Sequence, residues 1–356
     1  MVRHSIVVGC LLLASFAPAL RSQDAAKKHA AVSVYILAGQ SNMEGKAQNI
    51  LWEAQAVAEP TAKFFAPMRD AKNESWVTRD DVFIKFLGRR GKLTLGYGSR
   101  DRTGLEYAFG LRVGDAHEEP VLLIKAAWGG RALRKGFRPP SAGLPAKQVL
   151  QQELDNAVKR VTNRNKKNKR NDPEPTMDDI ISGYGKDYRA MIKEIDATMS
   201  DCDTLFPELA GAKLNVRGFL WFQGWNDQYG GAELEYEQNM QHFIRDVRKH
   251  LGAPKLPFVI GVMGQNGLEP AKGAMVAIQK AQLAMAKVPE FAGNVLAVRT
   301  APLQDKAAAK LYPEWKKRFE EWKVTGSDHP YHYLGSAIWF SRIGYGMADA
   351  ALQLQK

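Results

Sequence analysis

Val32-Ser33-Val34-Tyr35-Ile36-Leu37-Ala38 leads without a break into Gly39-Gln40-Ser41-Asn42-Met43-Glu44-Gly45. The first half is a short, mostly apolar run rich in β-branched residues, the pattern of a strand buried on both faces. The second half is polar and flanked by glycines, which reads as a tight turn at the carboxyl end of that strand. Residues 121–127, 216–222, 258–263 and 295–299 repeat the apolar pattern, each set apart by helical or loop sequence.

Residues 233–251 are amphipathic. Tyr236, Met240, Phe243, Ile244, Val247 and Leu251 recur at helical spacing, and Gly252 follows as a C-terminal cap. Residues 105–113, 271–288 and 335–354 fit further helices. Doubly buried strands alternating with helices predict an α/β fold with a five-stranded parallel sheet covered on both faces. The 356 residues suit one large domain, expected over 31–356. The stretches 49–101 and 159–175 read as insertions on its rim.

Arg3 and His4 precede an apolar run over 5–20, and Ala17, Ala19 and Ser22 offer cleavage points. Residues 1–22 are therefore expected to be a signal peptide, and the protein to be secreted or periplasmic. Cys10 would leave with it, so that Cys202 remains as a single thiol and no intrachain disulfide can form. No later run approaches the roughly eighteen apolar residues of a membrane span.

The formal charge is +12, or +10 without Arg3 and Arg21. Residues 159–170 carry seven Lys or Arg and no acid, a composition that reads as a solvated loop or frayed helix end. No aromatic is interleaved there as a nucleic-acid groove requires, so no nucleic-acid partner is expected.

In an open parallel sheet, ligands bind beyond the carboxyl ends of the strands. Gly39-Gln40-Ser41, Trp128-Gly129-Gly130-Arg131 and Gln223-Gly224-Trp225-Asn226-Asp227 follow three of the expected strands. Singly, each is unremarkable: a serine after a strand usually caps a helix, and paired glycines usually make a turn. Together they are the parts of an acyl-transfer site. Ser41 supplies a nucleophile and its own N–H, Gly129 or Gly130 allows close backbone approach, and the Asn226 amide is a third donor for an oxyanion.

Such a serine needs a base. Among seven histidines, His4 leaves with the leader and His29 lies in the N-terminal tail. His117 precedes the second strand, and His242 and His250 sit on the amphipathic helix. His329 and His332 remain. His332 is favoured because Tyr333-Leu334-Gly335 then leads into the last helix, and Asp328 is the nearest acid to orient it. Trp128 and Trp225 flank the donors and are candidates to stack on a sugar ring.

Gly39-Gln40-Ser41-Asn42-Met43 resembles the nucleophile block of the sialate O-acetylesterase-like group of the SGNH hydrolase superfamily, which includes the acetylxylan esterases of carbohydrate esterase family six. Gly129-Gly130 resembles the second block, and Gly224-Trp225-Asn226-Asp227 is similar to the third. The resemblance implies a three-layer α/β/α sandwich of flavodoxin-like type, with neither metal nor organic cofactor. It also implies Ser41 as nucleophile, His332 as base, and an oxyanion hole from Ser41, Gly130 and Asn226. The acetylxylan esterases carry a glutamine-led third block, which adds Gln223 as a donor. The superfamily places its acid three residues before the histidine, whereas Asp328 stands four before His332. The expected activity is hydrolysis of O-acetyl or short acyl esters on an oligo- or polysaccharide. The alternative is a non-catalytic carbohydrate-binding protein on the same scaffold.

Overall fold

The computed structural model describes Met1, residues 29–70, residue 72 and residues 74–356. Apart from Met1, the expected leader lies outside the described residues. The strands of the central sheet are β1 (Ala31–Gly39), β2 (Val82–Phe86), β3 (Arg89–Lys92), β4 (Val121–Ala127), β5 (Lys213–Phe222), β6 (Phe258–Val262) and β7 (Val295–Arg299). Their order across the sheet is β7-β6-β5-β1-β4-β2-β3, and only the β2–β3 pair is antiparallel. The chain moves from β1 to one side and later returns to the other, so the strand order reverses between β1 and β5. That reversal opens a crevice beyond the carboxyl ends of those strands.

The sheet has seven strands, not five. The extra pair comes from within the stretch 49–101 that was expected to be an insertion. Val82-Phe83-Ile84-Lys85-Phe86 is interrupted by a lysine, and Arg89-Arg90-Gly91-Lys92 is strongly charged, so neither shows the unbroken apolar pattern of a central strand. Position in the sheet explains both. β3 is an edge strand, where charges block unwanted pairing, and Lys85 is paired with Glu194, 2.8 Å away on a covering helix.

Alternation along the strands divides the core into two layers. Tyr35, Leu37, Leu123 and Leu220 face one side with α2 (Glu106–Gly114) and α7 (Ala337–Gln353). Val34, Ile36, Ile124, Phe219 and Trp221 face the other with α4 (Lys186–Ser200), α5 (Tyr236–His250) and α6 (Ala274–Ala284). This is a three-layer α/β/α arrangement. Each fully buried Val, Ile or Leu contributes roughly 1.5–3 kcal/mol, so both layers are strongly favoured over an exposed sheet.

The basic stretch 159–170 is largely helical. It forms the second half of α3 (Lys147–Asn168), which ends at Lys169 in the left-handed region. Leu150 and Leu154 seat the first half of α3 against Ile180 and Tyr184. Asn165 and Arg164 tie the end to Asp172, through the Asp172 carbonyl at 2.8 Å and its carboxylate at 3.0 Å. Among the described residues no helix is long and apolar enough to cross a membrane.

Candidate active site

Register brings the functional segments together. Gly39 pairs with Ala127 of β4 on one side and with Phe222 of β5 on the other. The three strands therefore end abreast, and Ser41, Gly129-Gly130 and Asn226 emerge along one edge. Gly39 is required there, because a Cβ at this position would meet the Phe222 carbonyl oxygen at 2.2 Å. The chain then turns into α1 (Ser41–Glu44). Ser41 is its first residue, so the Ser41 N–H has no intrahelical partner. Gly129 crosses close by: a Cβ on it would lie 3.7 Å from the Ser41 Cβ. Gly130 is left-handed, with φ +73.

Gln40, which sequence reasoning did not single out, connects the first and third segments. Its Oε1 accepts the Gly224 N–H at 3.1 Å, which fixes which end of the amide is which. Its Nε2 then donates to Asn226 Oδ1 at 3.1 Å. With its carbonyl oxygen engaged, Asn226 presents its NH2 group as the free end. The Gln223 amide is consumed differently. Nε2 donates to the Arg131 carbonyl at 2.9 Å and to Asp227 at 2.6 Å, while Oε1 accepts from the Tyr236 hydroxyl at 3.1 Å. The structure thus places Gln223 as a buried brace beside the crevice, with both amide hydrogens already committed.

Asp227 is fully buried. Burial pushes its carboxyl up to about 6 against the opposing pull of the Arg134 and Leu133 N–H groups and Gln223. Those two N–H groups, each 2.8 Å from a carboxylate oxygen, fasten the loop after Gly129-Gly130 to the third segment.

The last segment reaches the same edge through Asn42, whose Nδ2 donates to the Tyr331 carbonyl at 3.1 Å. His332 Nδ1 lies 3.1 Å from Asp328 Oδ2, yet the approach is off the N–H direction and Nδ1 has no well-aligned hydrogen bond. Arg102 holds the same carboxylate oxygen at 2.7 Å, and the His329 N–H holds Oδ1 at 2.7 Å. Burial alone would raise the Asp328 carboxyl, but the contacts from His332, His329 and Arg102 outweigh it and keep it at about 2. Arg102 carried no local signal in the sequence, being far from Asp328 along the chain. His329 instead turns to the Tyr312 hydroxyl, 2.9 Å from its Nδ1.

His332 does not lead straight into the final helix as the sequence suggested. Tyr333 and Leu334 are both left-handed, with φ 54 and 60, and α7 begins only after Ser336, whose hydroxyl accepts the Trp339 N–H. The strain of these two residues, about 1–2 kcal/mol each, is held by burial. The Tyr333 hydroxyl accepts the Gly264 N–H at 3.0 Å and lies 2.9 Å from Thr300 Oγ1. Of the two tryptophans expected at the site, Trp225 stands 5.9 Å from the Tyr331 ring at its mouth. Trp128 packs toward Phe137, 6.1 Å away. Among the described residues no cluster of three or more His, Cys, Asp or Glu is placed to hold a metal ion.

Among solved structures, a protein of Arabidopsis thaliana shares the fold at 17% identity. The match covers 90% of this chain and 97% of that one, with a TM-score of 0.50. A carbohydrate acetylesterase from Xanthomonas citri is 15% identical over 89% of this chain and 55% of its own, with a TM-score of 0.44. NanS is 11% identical over 79% of this chain and 80% of its own, with a TM-score of 0.42. No curated protein matches the sequence. The family described as carbohydrate esterase, sialic acid-specific acetylesterase, matches residues 31–172 and 175–310, a span that holds Ser41, Gly129-Gly130 and Asn226 and stops short of Asp328 and His332. By that match, which takes in well over half of its residues, the chain belongs to the sialic acid-specific acetylesterase family of carbohydrate esterases.

Proposed function

We propose that the protein hydrolyses acetyl or other short acyl esters carried on a carbohydrate, with Ser41 as nucleophile. The observation that carries this reading is the common end of β1, β4 and β5, which sets Ser41 between Gly129-Gly130 and Asn226. His332 takes the Ser41 proton as Oγ attacks the ester carbonyl, and Asp328 supports the imidazolium that results. The oxyanion is held by the N–H groups of Ser41 and Gly130 and by Asn226 Nδ2. It collapses to an acyl-serine as the sugar hydroxyl leaves with the proton from His332. Water, activated by the same imidazole, then releases the carboxylic acid. Asn226 is preferred over Gln223 as side-chain donor because Gln223 has no amide hydrogen to spare.

The test is release of acetate from a panel of acetylated glycans, with p-nitrophenyl acetate alongside. Ser41→Ala and His332→Ala should each lose at least about a thousandfold in kcat, and His329→Ala should retain most activity. Full activity in Ser41→Ala would assign the chemistry to another group. The poor alignment of His332 with Asp328 favours one second reading, a carbohydrate-binding protein without turnover. In that case the wild type cleaves no ester and still binds glycan. Secretion through residues 1–22 belongs to the same proposal, and N-terminal sequencing of the exported protein tests it.

A further inference from the structure

Beside the catalytic acid lies a cavity of about 220 Å³ that the ester chemistry leaves unused. Its walls include Tyr312, Trp315, Phe319, Trp322 and, on the side toward the crevice, Asp328 and His329. The Tyr312 and Trp315 rings are nearly parallel, 12° apart, with Trp322 tilted behind them. Phe319 is 52% exposed and Tyr331 38%, so both present ring surface to solvent. The aromatic surface is also continuous. Tyr331 stacks on His329 at 5.3 Å, meets His332 edge-on at 4.5 Å and reaches Trp225 at 5.9 Å. It therefore runs from the oxyanion side of the crevice, past the proposed base, into the cavity.

The lining selects the ligand. Flat aromatic faces take the C–H face of a sugar ring, and the polar atoms among them take its hydroxyls. Among the cationic groups near the cavity, Arg102 is paired with Asp328 and Lys323 with Glu320, while Lys316 lies over the Trp315 ring, 5.7 Å from its centroid. The volume lies below the roughly 300–1,000 Å³ of sites for drug-sized molecules, which suits one ring and not a lipid chain. We propose that this cavity is a sugar subsite: it holds one ring of the glycan chain next to the ring that carries the ester. This inference rests on the carbohydrate esterase reading and makes the substrate an oligosaccharide or polymer rather than a free monosaccharide.

The experiment has two arms. In the first, kcat/KM is measured on partially acetylated xylo-oligosaccharides, an acetylated monosaccharide and p-nitrophenyl acetate. Phe319→Ala and Trp315→Ala should lower the value on the oligosaccharide about five- to tenfold, through KM, and leave p-nitrophenyl acetate unchanged. Trp315→Phe should recover most of the loss. In the second arm, unacetylated xylo-, cello-, chito- and sialyl-lacto-oligosaccharides are titrated into Ser41→Ala while tryptophan fluorescence is followed. At least one should change the emission, and the added Phe319→Ala substitution should abolish that response. Equal losses on all three esters, or no fluorescence response to any glycan, would overturn the subsite. A wild type that cleaves no ester but responds in the second arm would overturn the esterase reading and keep the subsite.

Discussion

Gln40 governs the geometry of the proposed oxyanion donors, although it touches no reacting atom. By accepting from Gly224 and donating to Asn226, it sets the Asn226 amide with its NH2 group free. Asn226→Ala should therefore lower kcat about a hundredfold, close to 3 kcal/mol, with KM little changed, because the donor acts mainly in the transition state. Gln223→Ala should act on stability instead. It leaves the Arg131 carbonyl without its donor and takes one hydrogen bond each from buried Asp227 and Tyr236, at a cost of about 1–3 kcal/mol in urea unfolding. A catalytic defect confined to Gln223→Ala would reverse the two roles. Asp328 offers a test in pH. Its folded value, about 2, lies below the ordinary 3.8, so its contribution to stability is complete above 3.8 and is lost as pH falls through about 2. The stability gap between wild type and Asp328→Asn should be full at neutral pH and close in strong acid; a gap independent of pH would mean that the carboxylate is not held as described. Ser41 and Asn226 were legible as candidates because each sits in a short polar break after an apolar run, and Asp328 because it is the acid nearest to His332 in sequence. Gln40 and Arg102 were not, since their meaning lies in partners that only the folded chain brings near.

The turn 330–335 is the least regular element near the site and the one on which the proposed base rides. Sequence spacing suggested that His332 passes directly into the last helix, yet Tyr333 and Leu334 are left-handed and the helix starts after Ser336. Nothing local in Tyr333-Leu334 signals that conformation, because β and helical conformations are the ordinary choices for both residues. Tertiary contacts impose it: the Tyr333 ring is buried against Phe222 at 5.4 Å and Trp339 at 4.9 Å, and its hydroxyl meets Gly264 and Thr300. Tyr333→Phe keeps the ring and removes the hydroxyl, leaving the buried Gly264 N–H with a weaker set of acceptors. It should cost about 1–3 kcal/mol in unfolding and lower kcat more than it changes KM, since a loosened turn displaces His332. A variant as stable and active as wild type would show that packing of the ring alone fixes the turn. The β2–β3 hairpin escaped the sequence reading for a related reason. Its charged, edge-strand composition matches a rim loop until pairing with β4 is known.

At the scale of the whole molecule, the five apolar strands announced a parallel sheet, but the features that lock its parts together did not show in periodicity. Lys125 lies in the middle of the apolar run of β4, and its side chain is completely buried. Its ammonium donates to Glu106 Oε2 on α2 at 2.8 Å, to the Tyr97 carbonyl at 2.8 Å, and to the Glu44 carbonyl at 2.9 Å. One side chain thus joins the central sheet, a covering helix, the segment that follows the edge hairpin and the end of the turn that carries Ser41. Burial lowers the affinity of Lys125 for its proton, and the Glu106 carboxylate opposes that effect. Removing one member of such a pair leaves a buried charge without a partner, so Lys125→Met should cost about 3–5 kcal/mol in urea unfolding. It should also lower kcat, because the Glu44 carbonyl loses its anchor next to Ser41, the proposed nucleophile. Adding Glu106→Gln removes the stranded charge while keeping an acceptor for the Gly104 N–H, which Glu106 Oε1 now takes at 2.8 Å. The double variant should regain more than half of the lost stability, yet it should recover little activity, because the carbonyls of Glu44 and Tyr97 stay without their donor. If the double variant is no more stable than Lys125→Met alone, then unpaired charge is not what the single substitution exposes. The cost would then belong to the two orphaned carbonyls, and the pair would matter to the fold only through them.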